Sequence, residues 1–123
     1  MTRPTILVIE DEEGIRKLMQ RSLEPEYVVA QAENGREGLR WARATHPQLI
    51  FLDLHLPELD GLSVLAQLKA DPLTANIPVV IVSVRGETDA LMQGQESGAA
   101  DYLIKPFQLD ELRAMARRHV LLD

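Results

Sequence analysis

The sequence predicts an α/β protein, with a doubly wound parallel sheet of five strands covered by five helices on both faces. Short apolar runs rich in β-branched residues alternate with segments of helical periodicity along the chain. The first, third and fourth runs are apolar at consecutive positions, as in strands buried on both faces. Charged side chains directly follow several runs, which places them at the carboxyl edge of the sheet.

The apolar runs predict strands at residues 5–9, 27–31, 49–52, 79–82 and 102–104. Four helices are predicted from apolar stripes with a spacing of three or four residues. These stripes are Ile15, Leu18, Met19 and Ser22 or Leu23; Leu39 and Ala42; Leu62, Leu65, Ala66 and Leu68; and Leu109, Leu112, Ala116 and Val120. The remaining helix, fourth in chain order, is predicted over residues 87–97. It is weaker because Gly94 costs it about 1 kcal/mol relative to alanine.

Right-handed crossovers leave few ways to connect these elements. The strand order 2-1-3-4-5 places the first and third strands side by side, where the direction of winding reverses. Asp11 comes just after the first strand, and Asp53 ends the third. These two residues are therefore expected to meet.

Composition narrows the classes of function. The 123 residues predict one domain, 1–123, and the absence of cysteine fits a cytoplasmic protein without disulfides or thiolate metal sites. The net charge of -6 argues against direct nucleic-acid binding by this domain. No apolar stretch is long enough to cross a membrane, and the first residues lack a signal-peptide pattern.

Glu10, Asp11 and Asp53 form a predicted cluster of carboxylates that needs positive charge nearby. Lys105, which ends the fifth apolar run, is one candidate, and a divalent cation is the other. An oxygen-only site suits Mg²⁺. An aspartate beside Mg²⁺ and a lysine can attack phosphorus and form an aspartyl phosphate. Ser83 ends the fourth run and offers a hydroxyl donor at the same edge.

Each of these residues also has a purely structural interpretation. The acids at 10–13 suit a helix N-terminus, and Asp53 suits a cap or turn. Ser83 fits an ordinary strand end, and Lys105 fits a solvated surface. Together these interpretations are weaker, because one topology brings all four positions to one place.

The chain resembles a bacterial two-component response-regulator receiver domain, of the CheY-like, flavodoxin-like fold, over roughly residues 5–120. The resemblance lies in short motifs in order: Ile-Leu-Val-Ile-Glu-Asp-Glu at 6–12, Asp-Leu-His-Leu-Pro at 53–57, Asp-Gly at 60–61, Val-Ser at 82–83, Gly-Ala-Ala-Asp-Tyr at 98–102 and Lys-Pro-Phe at 105–107.

The resemblance implies that Asp53 accepts a phosphoryl group from a sensor histidine kinase or phosphotransfer protein. It implies that Mg²⁺, or Mn²⁺ in its place, binds Asp11, Asp53 and the backbone carbonyl of His55, with Glu10 acting through water. It further implies that Ser83 and Lys105 contact the phosphate and that Tyr102 rotates inward. A cis peptide bond before Pro106 is also implied.

Three residues at the mouth of the site are expected to set access and phosphate lifetime. Val84 is bulkier than the small residue common in the family, so it is expected to narrow access for phosphodonors. Arg85 is expected to screen the phosphate and slow its hydrolysis. His55 flanks the same position.

The output is expected from the face formed by the fourth helix, the fifth strand and the last helix, where an effector or output domain binds. Arg113, Arg117 and Arg118 there either pair across a phosphorylation-dependent homodimer or are solvated. Trp41 lies roughly opposite the apolar stripe of its helix. It is therefore either a contact residue or a lone surface aromatic.

Three functions remain open. The first is a phosphorylation switch that catalyses only its own phosphorylation and dephosphorylation, either alone or as the N-terminal receiver of a larger DNA-binding or enzymatic regulator. The second is an aspartate-nucleophile phosphohydrolase, although His55 stands where that class has a second aspartate. The third is a phosphate-independent interaction module.

Overall fold

Strands and helices alternate along the described chain. The structure is a computed structural model that describes residues 3–84, 96 and 98–120. Its strands are β1 (Thr5–Ile9), β2 (Val28–Ala32), β3 (Leu49–Asp53), β4 (Val79–Val84) and β5 (Asp101–Lys105). Its helices are α1 (Glu13–Leu23), α2 (Gly35–Thr45), α3 (Gly61–Ala70) and the C-terminal helix (Leu109–His119).

The five strands form one parallel sheet in the order β2-β1-β3-β4-β5, which confirms the predicted topology. Ile9 of β1 lies opposite Leu52 of β3. The next residues, Glu10 and Asp53, therefore emerge side by side at the carboxyl edge. On the other side of β3, Asp53 is in register with Val82 of β4.

The sheet has a core on each face because successive side chains of a strand point to opposite sides. Leu7, Ile9, Ile50 and Leu52 lie on the face covered by α2 and α3, where Leu39, Ala42, Val64, Leu65 and Leu68 complete the cluster. Ile6, Val8, Leu49 and Phe51 lie on the other face with Met19, Leu23, Leu112 and Ala116 from α1 and the C-terminal helix. As predicted, β1, β3 and β4 are almost wholly buried.

Local sequence fixes where several helices begin. The side chains of Asn34 and Asp60 accept hydrogen bonds from backbone N–H groups in the first turns of α2 and α3. Gln108 and Glu111 form a capping box at the start of the C-terminal helix. Helix α2 ends at His46, whose φ of 47° is left-handed.

The predicted element boundaries differ from the observed ones mainly at strand ends. The second strand begins one residue later than predicted, because Tyr27 precedes it and is buried against α1 and the C-terminal helix. Strands β3, β4 and β5 extend through Asp53, Val84 and Lys105, so these side chains are held by the sheet rather than by loops.

The described residues contain four of the five predicted helices. The helix predicted over 87–97 lies outside the described residues, apart from Glu96, and Arg85 also lies outside them. In the described part of the chain, no helix has both the length and the apolar character needed to span a membrane.

Candidate functional site

Three carboxylates converge at the carboxyl edge of β1 and β3, as predicted. Glu10 and Asp53 are 1% and 3% exposed, whereas Asp11 is open to solvent. One oxygen from each of the three lies within 4.8 Å of the others. The topology alone brings them together, since Asp53 is far from the other two in sequence.

Lys105 reaches this cluster from the end of β5. Its Nζ donates to Oε1 of Glu10 at 2.7 Å and lies 3.4 Å from Oδ2 of Asp53. The lysine side chain is 17% exposed, and the two carboxylates are almost completely covered. Lys105 therefore provides one positive charge to a site with three acidic groups.

Backbone donors hold the two buried carboxylates in place. The N–H of His55 donates to Oδ1 of Asp53 at 3.1 Å, and the N–H of Glu12 donates to Oε2 of Glu10 at 3.1 Å. Both Glu10 oxygens are thus engaged within the protein. Asp53 also accepts at both oxygens, but its contact with Lys105 is the longer one, at 3.4 Å. Asp11, which is exposed, is the carboxylate most open to an added ion.

The pKa values reflect this crowding. Burial raises the pKa of Glu10 above its usual 4.5. The hydrogen bond from Lys105 lowers it in part, and the neighbouring Asp53 raises it further. For Lys105, burial works to lower the pKa, but the hydrogen bond to Glu10 and the charges of Asp53 and Glu10 outweigh it. The Lys105 pKa therefore lies above 10.5, and this side chain stays charged at neutral pH.

Ser83 lies at the same edge, one register step from Lys105. Ser83 is fully buried, and its hydroxyl has no hydrogen-bond partner within the residues that the structure describes. A buried hydroxyl without a partner is uncommon and costs free energy. The Ser83 hydroxyl therefore remains available as a hydrogen-bond donor at this edge of the sheet.

Tyr102 is half-buried on β5 and packs against the core on the α2 and α3 face. Burial raises the pKa of its phenol, and the charge of Asp101 adds to this effect. The peptide bond between Lys105 and Pro106 is cis, which confirms the prediction made from the family resemblance.

The predicted access residues are only partly described. Val84 is the last residue of β4 and is 42% exposed. It pairs in register with Lys105, so it lies at the rim of the site. His55 is exposed and lies two residues after Asp53, and Arg85 lies outside the described residues.

Gly61 provides the space that this arrangement needs. A Cβ atom at this position would lie 2.4 Å from the backbone oxygen of Asp53 and 2.6 Å from the Cα of Leu54. The first turn of α3 can therefore lie directly against the end of β3. Asp60, which caps α3, sets the helix start at this point.

The donor set fits a hard divalent cation. Glu10, Asp11 and Asp53 offer only oxygen atoms, and one ammonium cannot balance three carboxylates. Chemically, the arrangement combines a buried nucleophilic carboxylate, a fixed ammonium and an unpaired hydroxyl. These are the groups needed to bind and stabilise a transferring phosphoryl group.

Two features of the site were not predicted from the sequence. Arg16 of α1 donates to the backbone oxygen of Glu10 at 2.9 Å and thereby ties α1 to the acidic loop. Glu10, rather than Asp53, is the closer partner of Lys105. The only sequence signal for the contact made by Arg16 was the position of a basic residue about one helical turn after the acidic run.

Comparisons with known proteins agree with this geometry. The family described as the response regulator receiver domain matches residues 6–117. The chain is 43% identical over 115 residues to the DNA-binding dual master transcriptional regulator RpaA of Synechocystis sp., an alignment that covers 93% of this chain and 48% of that protein. It is 33% identical over 121 residues to sporulation initiation phosphotransferase F of Bacillus subtilis, covering 98% and 96%.

A solved structure gives the same result in three dimensions. The receiver domain of NtrX from Brucella abortus superposes with a TM-score of 0.87 at 33% identity and covers 94% of this chain and 97% of that one. The chain spans about half the length of the transcriptional regulators that it matches. The family match extends over most of the chain and includes β1, β3 and β5, which carry the acidic cluster and Lys105. The chain belongs to the response regulator receiver domain family.

Proposed function

We propose that the chain is a phosphorylation-dependent signalling switch in which Asp53 accepts a phosphoryl group from a sensor histidine kinase or phosphotransfer protein. The observation that carries this proposal is the placement of Asp53. It is buried at a strand end, oriented by the N–H of His55, and close to both Lys105 and Asp11.

In the proposed reaction, a carboxylate oxygen of Asp53 forms a bond to phosphorus as the bond from phosphorus to the donor nitrogen breaks. Lys105 holds one negatively charged phosphoryl oxygen, and the Ser83 hydroxyl donates to another. Mg²⁺, or Mn²⁺, held by Asp11, Asp53 and the carbonyl of His55, supplies further charge neutralisation. Glu10 acts through water, because the ammonium of Lys105 lies closer to Glu10, at 2.7 Å, than to Asp53, at 3.4 Å.

The switch itself is proposed to follow from the new charge at this edge. Ser83 and Tyr102 respond to the phosphate, and the face that contains β5 and the C-terminal helix binds an effector, an output domain or a second copy. Within the described chain, Arg113, Arg117 and Arg118 already pair with Asp110, Glu26 and Asp101. A homodimer would have to exchange these pairs.

Val84 and Arg85 are proposed to set the access of donors and the lifetime of the phosphate, with His55 beside them. The position of Val84 at the rim of the site, in register with Lys105, supports its role in donor access. The proposal also includes one domain over 1–123, a cytoplasmic location, and no reaction beyond the chain's own phosphorylation and dephosphorylation.

A second candidate is that this receiver belongs to a larger DNA-binding regulator. It is favoured by the matched regulators, which are about twice as long as the aligned region. The match to nearly all of the sporulation phosphotransferase favours a receiver that works alone. Either arrangement uses the same phosphorylation site.

The test is incubation with Mg²⁺ and acetyl phosphate followed by intact mass spectrometry. One phosphoryl group is expected on the native chain and none on Asp53→Asn, and Asp11→Asn should react far more slowly. Asp60→Asn is the matched control, because asparagine caps a helix as well as aspartate does.

A phosphoryl group that persists in Asp53→Asn would refute the assignment. Rapid multiple turnover of the donor would instead indicate a phosphohydrolase, and no adduct would indicate a phosphate-independent module.

A further inference from the structure

The outward side of α2 carries a group of arginines. Arg36, Arg40 and Arg43 follow one another at spacings of four and three residues, so they share one side of the helix. With Leu39, Leu59 and Gln67, they line an open cavity of about 380 Å³ between α2 and α3. This surface contrasts with the chain as a whole, whose net charge is -6.

Two of these arginines have no acidic partner among the described residues. Arg43 pairs with Asp71 at 2.8 Å, which neutralises it. Arg36 and Arg40 are exposed, and neither makes an ion pair or side-chain hydrogen bond with the part of the chain that the structure describes. The cavity therefore has uncompensated positive charge at its edge.

An apolar surface adjoins the arginines. A second open cavity, of about 430 Å³, is lined by Glu37, Arg40, Trp41 and Ala44, so Arg40 borders both cavities. Trp41 is 40% exposed. A cationic cavity thus lies beside an exposed aromatic ring on the same helix. Arginine and tryptophan are among the residue types enriched where proteins bind one another.

This surface is separate from the phosphorylation site and from the proposed output face. Helix α2 packs against β1, β2 and α3, whereas β5 lies at the opposite edge of the sheet and the C-terminal helix packs on the other face. The arginines and Trp41 therefore have no role in the chemistry proposed for Asp53.

We propose that Arg36, Arg40 and Trp41 form a docking surface for an acidic peptide segment of a partner protein. Carboxylates of the segment pair with the two guanidinium groups, whose planar fork suits a carboxylate, and an apolar side chain lies against Trp41. A nucleic acid fits less well. Two free arginines give few phosphate contacts, whereas a nucleic acid needs a run of several cations along its backbone.

The only tryptophan of the chain lies in this surface, so its fluorescence reports binding directly. The chain is titrated with a capped peptide, Glu-Glu-Leu-Phe-Glu-Asp, and with a matched peptide in which lysine replaces every acid. The acidic peptide should change the Trp41 emission saturably and should bind more weakly as salt is raised. The basic peptide should not bind.

Charge reversal tests which arginines are used. Arg40→Glu and, independently, Arg36→Glu should each weaken binding by about tenfold or more. Arg21→Glu, an exposed arginine of α1 with the same change of charge, is the matched control and should bind as the native chain does. Far-ultraviolet circular dichroism and the urea midpoint show that each variant is folded.

Three outcomes would overturn the proposal. One is no fluorescence change with the acidic peptide. Another is an equal loss of affinity in Arg21→Glu and Arg40→Glu, which would indicate a general effect of net charge. The third is tighter binding of an oligothymidylate than of the acidic peptide, which would assign the surface to nucleic acid.

Discussion

At the scale of single residues, Lys105 determines how much acidic charge this site can hold. It is the cation hydrogen-bonded to two almost fully buried carboxylates, Glu10 and Asp53. An ion pair at this depth adds little net stability when both partners are present, but loss of one partner leaves a buried charge without compensation. The effect of losing Lys105 is therefore expected to depend on pH.

We predict that Lys105→Met lowers the free energy of unfolding by about 3 kcal/mol at pH 7, measured by urea denaturation in EDTA. The folded-state pKa of Glu10 lies above 4.5, so the fold favours the protonated form and loses stability as pH rises from 4.5 through the raised pKa. Without Lys105 this loss of stability is larger, because no ammonium then compensates the ionised Glu10. The difference between variant and native protein should accordingly shrink as pH falls toward 4.5.

Lys17→Met is the matched control for this prediction. Lys17 pairs with Glu13 at 2.9 Å, but both side chains are more than half exposed. Its replacement is expected to change stability by less than about 0.5 kcal/mol at either pH. Equal effects of the two lysine substitutions would contradict the account of Lys105.

At the scale of secondary-structure elements, the contact between the end of β3 and the start of α3 positions Asp53, the proposed phosphoacceptor. The strand delivers Asp53, and α3 begins only eight residues later, with Gly61 against the backbone of Asp53 and Leu54. Any side chain at this glycine must push the two elements apart. Stability and site geometry are therefore coupled at this one contact.

Gly61→Ala is expected to lower the free energy of unfolding by roughly 1–3 kcal/mol, because its Cβ would overlap backbone atoms that cannot move independently. Phosphorylation by acetyl phosphate should also slow. Gly14→Ala is the control within α1, since a Cβ there meets no atom within 4 Å. It should raise stability by up to about 1 kcal/mol through helix propensity. A neutral Gly61→Ala would show that α3 can shift freely.

Most strands and helices and the order of the strands could be predicted from the sequence. Buried parallel strands appear as continuous apolar runs, and few topologies connect them. The meeting of Asp11, Asp53 and Lys105 follows from that order. Contacts set by side-chain conformation could not be predicted. Asp101 accepts hydrogen bonds from Arg118 and His119, both at 2.9 Å, which ties β5 to the C-terminal helix. No periodicity encodes such pairs, because they depend on the final distance between two packed elements.

At the scale of the whole molecule, the fold concentrates acidic charge at one edge of the sheet and covers both faces with apolar cores. A cation that binds this edge in the folded state alone stabilises the entire chain by mass action. The affinity of the site for metal can therefore be measured as global stability, without any phosphodonor.

We predict that Mg²⁺ at about ten times its dissociation constant raises the free energy of unfolding by about 1.4 kcal/mol. Removal of the ion with EDTA should reverse the gain. Asp11→Asn should abolish most of it, whereas sodium chloride at the same ionic strength should not reproduce it. The measurement is urea denaturation followed by circular dichroism. An identical gain in Asp11→Asn would place the ion elsewhere.

The hydrogen bond between Glu10 and Lys105 joins residues that are 95 positions apart. During synthesis, the acids of the first strand leave the ribosome long before the lysine of the last one exists. A nascent chain that stops short of residue 105 has Glu10, Asp11 and Asp53 but not their ammonium neighbour. The acidic site therefore gains its cation only after β5 has been made and has joined the sheet, so a polypeptide that ends before residue 105 cannot form the ion pair between Glu10 and Lys105.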